Sequence, residues 1–72
     1  MFTIYIKTHN GYKKEYSIVD RDLAVFYFKA FMQAVDIANI IMIDGLTGEV
    51  LYEWNGKNFT VFNSQVIDVN LI

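Results

Sequence analysis

The chain has 72 residues, of which 54% are hydrophobic, and it carries a formal net charge of −2, one His and no Cys. This length predicts a single domain, residues 1–72, near the size at which one small core only just outweighs the conformational entropy of the chain. Because disulfide bonds and thiolate metal sites are excluded and a structural zinc site is unexpected, we expect self-association to supply further stability. The negative charge gives no general attraction to nucleic acid.

The segments FTIYIK and YKKEYSIV alternate apolar and polar residues, which predicts two strands joined as a hairpin. The dipeptide Asn10-Gly11 favours a two-residue turn, but that turn would place Ile4 opposite Ser17 and leave the apolar faces unmatched. We predict instead a three-residue loop that ends at a left-handed Gly11, because burial of a face specifies register more strongly than a dipeptide preference. The predicted pairs are Phe2 with Ile18, Ile4 with Tyr16 and Ile6 with Lys14.

A helix is predicted after the hairpin. Asp20 is the expected N-cap, and Asp22 lies in the first turn, where a negative charge suits the helix dipole. We expect the helix to run to about Ala38, with Asn39 closing it in the left-handed conformation. Its central stretch, LAVFYFKAFMQAV, is too short and too often interrupted by polar residues for a membrane span.

Three further strands are predicted from the segments IIMI, EVLYEW and KNFTVF. The first two are joined by the four-residue loop GLTG, and the last two by a two-residue turn at Asn55-Gly56. The predicted pairs in these two hairpins are Ile43 with Val50, Ile41 with Tyr52, Tyr52 with Phe59 and Val50 with Val61. Residues 66–72 alternate again and are a candidate sixth strand, in the same sheet or exchanged with a partner chain.

The order of these elements predicts the fold class α+β, with a single helix packed on one face of an antiparallel sheet of five to six strands, order ββαβββ(β). The connection through the helix is expected to be a right-handed crossover. If the first strand lies between the second and the third, every neighbour is antiparallel, which predicts the strand order 2-1-3-4-5.

The predicted helix is more apolar than contact with one sheet requires. At about 100° per residue, its alanines share one arc with three larger residues, and we expect this arc to face the sheet. The arc contains Leu23, Tyr27, Ala30, Phe31, Ala34 and Ala38. The remaining apolar flank is the predicted interface, either with a second copy of the chain or with another protein. It contains Val25, Phe28, Met32 and Val35. The alternative is that the C-terminal segment covers this flank.

Candidate catalytic and metal-ligating residues do not form a recognised pattern. His9 is expected in a solvated turn, and neither Ser17 nor Ser64 lies in a nucleophile elbow. Asp20 and Asp22 are explained by helix capping, since no further oxygen ligands follow at the spacing of a metal loop. We therefore predict no catalytic residue, no metal and no cofactor, and a protein that is not an enzyme.

The alternative function is binding of single-stranded nucleic acid by the first hairpin. Lys7, Lys13, Lys14 and Tyr12 would carry it, because aromatic rings interleaved with cations hold single strands. Three lysines on an acidic chain make a small electrostatic footprint, however, so a nucleic-acid partner is unexpected. Lysines on an edge strand also have a structural explanation, since they discourage aggregation through that edge.

The sequence thus predicts a small, non-enzymatic protein–protein interaction module that forms a homodimer and binds a further protein. We expect it to be cytoplasmic and not bound to a membrane, because the N-terminus lacks the basic region and cleavage site of a signal peptide. Residue usage leans to Ile, Asn, Lys, Phe and Tyr, which is typical of AT-rich genomes. That composition suggests a bacterial or phage origin and a role as a phage or mobile-element regulator or inhibitor.

Overall fold

The computed structural model describes residues 1–62, which form one α-helix and one five-stranded antiparallel sheet. The elements are β1 (Phe2–Thr8), β2 (Lys13–Ile18), α1 (Arg21–Met32), β3 (Ile37–Asp44), β4 (Val50–Trp54) and β5 (Phe59–Val61). The strands lie in the order β2-β1-β3-β4-β5. The predicted fold class and strand order are confirmed, while the candidate sixth strand at residues 66–72 lies outside the described residues.

The β1–β2 hairpin has the predicted register. Its strands pair Phe2 with Ile18, Ile4 with Tyr16 and Ile6 with Lys14. The loop is closed by the Gly11 N–H, which donates to the Thr8 carbonyl at 3.0 Å, and by the Thr8 N–H, which donates to the Tyr12 carbonyl at 2.8 Å. Gly11 has a φ of +87°, a conformation that favours glycine, so the three-residue loop and its left-handed residue are both confirmed.

The helix begins as predicted but ends earlier. The Asp20 carboxylate accepts a hydrogen bond from the Leu23 N–H at 3.1 Å, which confirms the N-cap. The last helical residue is Met32, however, and the prediction that the helix reaches Ala38 is wrong. Residues 37–39 instead extend β3, where they pair with the end of β1, so Asn39 is a strand residue. Backbone groups at the end of a helix lack hydrogen-bond partners within the helix, whereas pairing with the central strand β1 supplies such partners.

The two later hairpins differ in register from the prediction. Ile43 pairs with Val50 as expected, but Tyr52 lies opposite Met42, because Leu51 is an extra residue in a β-bulge. The bulge turns the Tyr52 side chain toward the helix, where it is fully buried. The predicted pair of Ile41 with Tyr52 is therefore wrong.

The β4–β5 connection is a four-residue loop, because Trp54 lies opposite Phe59. The Asn55 side-chain carbonyl oxygen accepts from the N–H groups of Lys57 and Asn58 at 2.9 and 2.8 Å, and these bonds hold the longer loop. The two-residue turn is therefore wrong, and Tyr52 pairs with Val61.

The core lies between the helix and one face of the sheet. Its fully or almost fully buried residues come from β1, α1, β3 and β4. They are Ile4, Ile6, Ala24, Phe28, Ile40, Met42, Leu51 and Tyr52. The Arg21 guanidinium donates to the Tyr52 hydroxyl at 3.0 Å and so ties the first turn of α1 to β4. Burial of these side chains fixes the rotation of the helix on the sheet.

Candidate functional site

The helix packs on the sheet with the flank that the sequence analysis assigned to an interface. Phe28 is fully buried, with its ring centroid 5.9 Å from that of Tyr52, and both Val25 and Met32 pack against the core. Val35 is 94% exposed, but it lies in the turn after the helix. The predicted interface is therefore wrong for Phe28, whose side chain is used within the protomer, while Val25 and Met32 are only partly buried against the core.

The early end of the helix explains this error. The predicted sheet-facing arc included Ala34 and Ala38, but neither residue is helical. In the helix that forms, Ala24 lies fully buried against the sheet and Ala30 is exposed. Ala24 and Phe28 lie one turn apart and are both fully buried, and burying the Phe28 ring removes more apolar area from water than an alanine can.

Exposed apolar residues instead follow the opposite side of α1. Leu23, Phe26 and Tyr27 are 44%, 62% and 41% exposed, and Ala30 is also exposed. We call Leu23, Phe26, Tyr27 and Ala30 the outer flank. Their spacing of i, i+3, i+4 and i+7 places them on one side of the helix. This periodicity is visible in the sequence, but without the true helix end it could not be separated from the sheet-facing pattern.

A line of rings joins the outer flank to strand β2. The ring centroids of Phe26 and Tyr27 are 5.8 Å apart, those of Tyr27 and Phe31 are 6.4 Å apart, and those of Phe31 and Tyr16 are 5.4 Å apart. These separations are typical of favourable aromatic contacts. We call Phe26, Tyr27, Phe31 and Tyr16 the aromatic row, which makes the apolar surface continuous from the helix to the edge of the sheet.

A groove opens between α1 and β2 beside this row. It has a volume of about 300 Å³, and its lining residues are Tyr16, Ser17, Ile18, Tyr27 and Phe31. Aliphatic and aromatic carbon makes most of the lining, and one serine and two tyrosine hydroxyls supply polar groups. A groove of this composition fits apolar side chains that enter from outside the protomer.

Strand β2 is the first strand of the sheet, so one of its edges has no neighbouring strand within residues 1–62. Thr8 and Tyr12 form a hydrogen-bonded pair, and such pairs alternate along an antiparallel ladder. The backbone N–H and C=O groups of Lys13, Glu15 and Ser17 therefore point away from β1. The outer edge of β2 can thus accept another strand, directly beside the groove.

The residues of the alternative nucleic-acid site are divided between two faces. Lys7 and Lys13 are exposed and directly opposite each other on the face away from the helix. Lys14 lies opposite Ile6 and therefore on the helix side, and Tyr12, at the end of the loop, is 63% exposed. The hairpin thus brings two of the three lysines together.

Residues with catalytic or metal-binding potential are scattered in the described part of the chain. No group of three or more His, Asp or Glu residues within residues 1–62 is placed to hold a metal ion. The His9 N–H donates to the Asp36 carbonyl at 3.0 Å, which ties the first loop to the turn before β3. Asp20 caps α1, as predicted.

Across residues 1–62, no helix has both the length and the apolar character needed to cross a bilayer.

Comparisons of the chain with protein-family models, with curated proteins and with solved structures give no match. The outer flank, the aromatic row and the outer edge of β2 together form one continuous surface.

Proposed function

We propose that this domain is a non-enzymatic protein–protein interaction module that self-associates through the outer flank of α1. The observation that carries the proposal is the exposure of Leu23, Phe26 and Tyr27 on a helix whose other side already packs on the sheet. Contiguous apolar patches of this kind mark association surfaces on soluble domains. The interface is helix-mediated, as the sequence predicts, but it consists of the outer flank.

A second copy of the chain is the partner that this surface favours. A domain of this size buries a smaller share of its surface on folding than a larger domain does, and 54% of its residues are hydrophobic. A two-fold contact covers the same flank on both copies at once, because an isologous interface uses one patch twice. Full burial of a side chain such as Phe26 contributes about 1.5–3 kcal/mol. Burial of three such side chains on each copy therefore makes a substantial contribution to the stability of a dimer.

The test is the mass of the full chain in solution, measured by light scattering after size exclusion at several concentrations. We expect twice the chain mass of 8.4 kDa. Phe26→Lys should give the monomer, because it places a charge in the contact. Leu46→Lys is the matched control, since Leu46 is 88% exposed in the β3–β4 turn. A wild-type monomer at high micromolar concentration would overturn the proposal.

A second candidate function is weak binding of single-stranded nucleic acid by the first hairpin. The observation that favours it is the direct pairing of Lys7 with Lys13, two residues from the exposed ring of Tyr5 on the same face. Glu15 lies opposite Tyr5 and reduces the positive potential there. The structure offers a matched pair of variants, because Lys13→Glu changes this face and Lys14→Glu changes the other.

Fluorescence anisotropy with a labelled single-stranded oligonucleotide at low salt tests this second candidate. Binding that falls with added salt and is lost in Lys13→Glu, but kept in Lys14→Glu, would support it. Equal losses in the two variants would indicate general charge attraction, and no binding at low salt would eliminate this function.

The setting in which the module works is also a proposal. An AT-rich residue usage and a small size support a cytoplasmic protein of bacterial or phage origin that regulates or inhibits another protein. Expression of the full chain in a low-GC bacterium, followed by cell fractionation and chemical crosslinking, tests it. We expect the chain in the soluble fraction, crosslinked to one host protein, and recovery with membranes alone would contradict the proposal.

A further inference from the structure

The outer edge of β2, which has no neighbouring strand within residues 1–62, gives the self-association a defined geometry. β2 has six residues and presents the outward backbone groups of Lys13, Glu15 and Ser17, whereas β5, at the other edge, has three residues. The longer edge offers more hydrogen bonds, and the groove and aromatic row lie directly beside it. The outer flank is thus joined through the aromatic row and the groove to the outer edge of β2.

Two-fold symmetry limits how two copies of β2 can pair. An axis perpendicular to the sheet reverses the strand direction and keeps both helices on the same face, so the pairing is antiparallel. Residues directly opposite each other then point to the same face. Helix-side residues must therefore lie opposite helix-side residues. This requires the axis to pass midway between one residue of β2 and the same residue of the second copy, and we name each axis by that residue.

Charge and strand length select one of these registers. An axis at Lys13, Lys14 or Glu15 places that charged residue opposite its own copy, which destabilises a pair of strands. An axis at Ser17 pairs only residues 16–18 within β2. An axis at Tyr16 pairs residues 14–18 and places each Glu15 opposite Ser17 of the second copy.

We infer that two copies join through antiparallel pairing of β2 with β2 about a two-fold axis at Tyr16, which makes one continuous sheet with both helices on one face. This inference rests on the proposed self-association and specifies its geometry. The two Glu15–Ser17 pairs each exchange two backbone hydrogen bonds, which gives four in total. Tyr16 meets its own copy, and because each Tyr16 stacks on Phe31, the aromatic rows of the two protomers become one.

The first test uses the absence of Cys from the chain. At a pair without backbone hydrogen bonds the Cα atoms are about 4.5 Å apart, which lies within the range of about 4.4–6.8 Å for a disulfide. Tyr16→Cys should therefore form a disulfide-linked dimer under mild oxidation, seen on a non-reducing gel. Leu46→Cys, in an exposed turn, controls for random collision, and Glu15→Cys reports the neighbouring register.

The second test is Ser17→Pro, with Ser17→Ala as its control. The Ser17 N–H points away from β1, so proline leaves the β1–β2 ladder intact while it removes two of the four bonds between protomers. We expect Ser17→Pro to keep the circular dichroism spectrum of the wild type and to shift its mass to that of the monomer. Ser17→Ala should remain dimeric.

The outcomes separate this inference from the proposed function. A dimer by light scattering with no Tyr16→Cys crosslink, or with a crosslink at Glu15→Cys instead, overturns the inferred pairing and leaves self-association standing. A folded Ser17→Pro variant that stays dimeric also overturns the pairing. A wild-type monomer overturns both proposals.

Discussion

The ring of Tyr16 stacks on the ring of Phe31, with centroids 5.4 Å apart and planes inclined by 27°. Tyr16 belongs to the edge strand β2 and Phe31 to the last turn of α1, so this contact links the sheet edge to the helix. Its position makes the outer flank of the helix and the outer edge of β2 parts of one surface. A partner that covers one of them also meets the other.

The first prediction compares two phenylalanines on opposite sides of α1. Phe28 is fully buried and Phe26 is 62% exposed. We expect Phe28→Ala to lower the free energy of unfolding by about 3–5 kcal/mol, because it removes core contacts and leaves a cavity. Phe26→Ala should change the unfolding of dilute protein by less than about 1 kcal/mol and should weaken the dimer.

Urea denaturation at low concentration and light scattering at high concentration measure these two effects. Equal losses of stability in the two variants would contradict the assigned rotation of the helix. A dimer unaffected by Phe26→Ala would contradict the role of the outer flank.

The second prediction concerns the start of the helix. The Asp20 side chain accepts the Leu23 N–H at 3.1 Å. We expect Asp20→Ala to lower the free energy of unfolding by about 0.5–2 kcal/mol, since it removes the cap. Asp20→Asn is the matched control, because asparagine caps as well as aspartate does. Chemical denaturation measures both variants, and a loss in Asp20→Asn as large as in Asp20→Ala would show that charge, and not capping, is responsible.

The third prediction concerns the first loop. Gly11 has a φ of +87°, and a side chain added there meets no other atom within 4 Å. Any loss on substitution therefore reflects backbone strain alone, and we expect Gly11→Ala to lower the free energy of unfolding by about 1–2 kcal/mol. Gly11→Asn should lose less, because asparagine adopts this conformation more readily. Denaturation curves that rank alanine and asparagine equally would argue against a left-handed residue in solution.

The accuracy of the sequence predictions depends on whether the deciding interactions are local. The β1–β2 register follows from alternation and one short loop, both of which can be read from neighbouring residues. The end of α1 depends on the pairing of Ile37 and Asn39 with β1, which lies about thirty residues away in the chain. Helix propensity and periodicity contain no information about that pairing, so they predict a helix that is too long.

The side of α1 that faces the sheet also depends on contacts that are distant in the sequence. An amphipathic pattern shows that two sides of a helix differ, but here both sides are apolar, and the choice between them depends on the sheet beneath. The bulge at Leu51 turns Tyr52 toward the helix, and the Tyr52 ring then packs 5.9 Å from Phe28. No local signal marks that bulge, so the rotation of the helix could not be derived from its own residues.

The fourth prediction concerns amide hydrogen exchange along β2. The N–H groups of Lys14 and Tyr16 donate to β1, so we expect them to be protected at every protein concentration. The N–H groups of Glu15 and Ser17 point to the outer edge of β2, and they should exchange rapidly in the monomer and slowly in the dimer. Exchange followed by NMR at two concentrations, one on each side of the dimer transition, measures both sets of amides side by side.

Concentration-dependent protection that alternates along β2 is the result expected from strand pairing. Protection of all four amides at both concentrations would instead mean that the edge of β2 is already covered within one protomer, while rapid exchange of Glu15 and Ser17 in a proven dimer would place the contact on the helices alone.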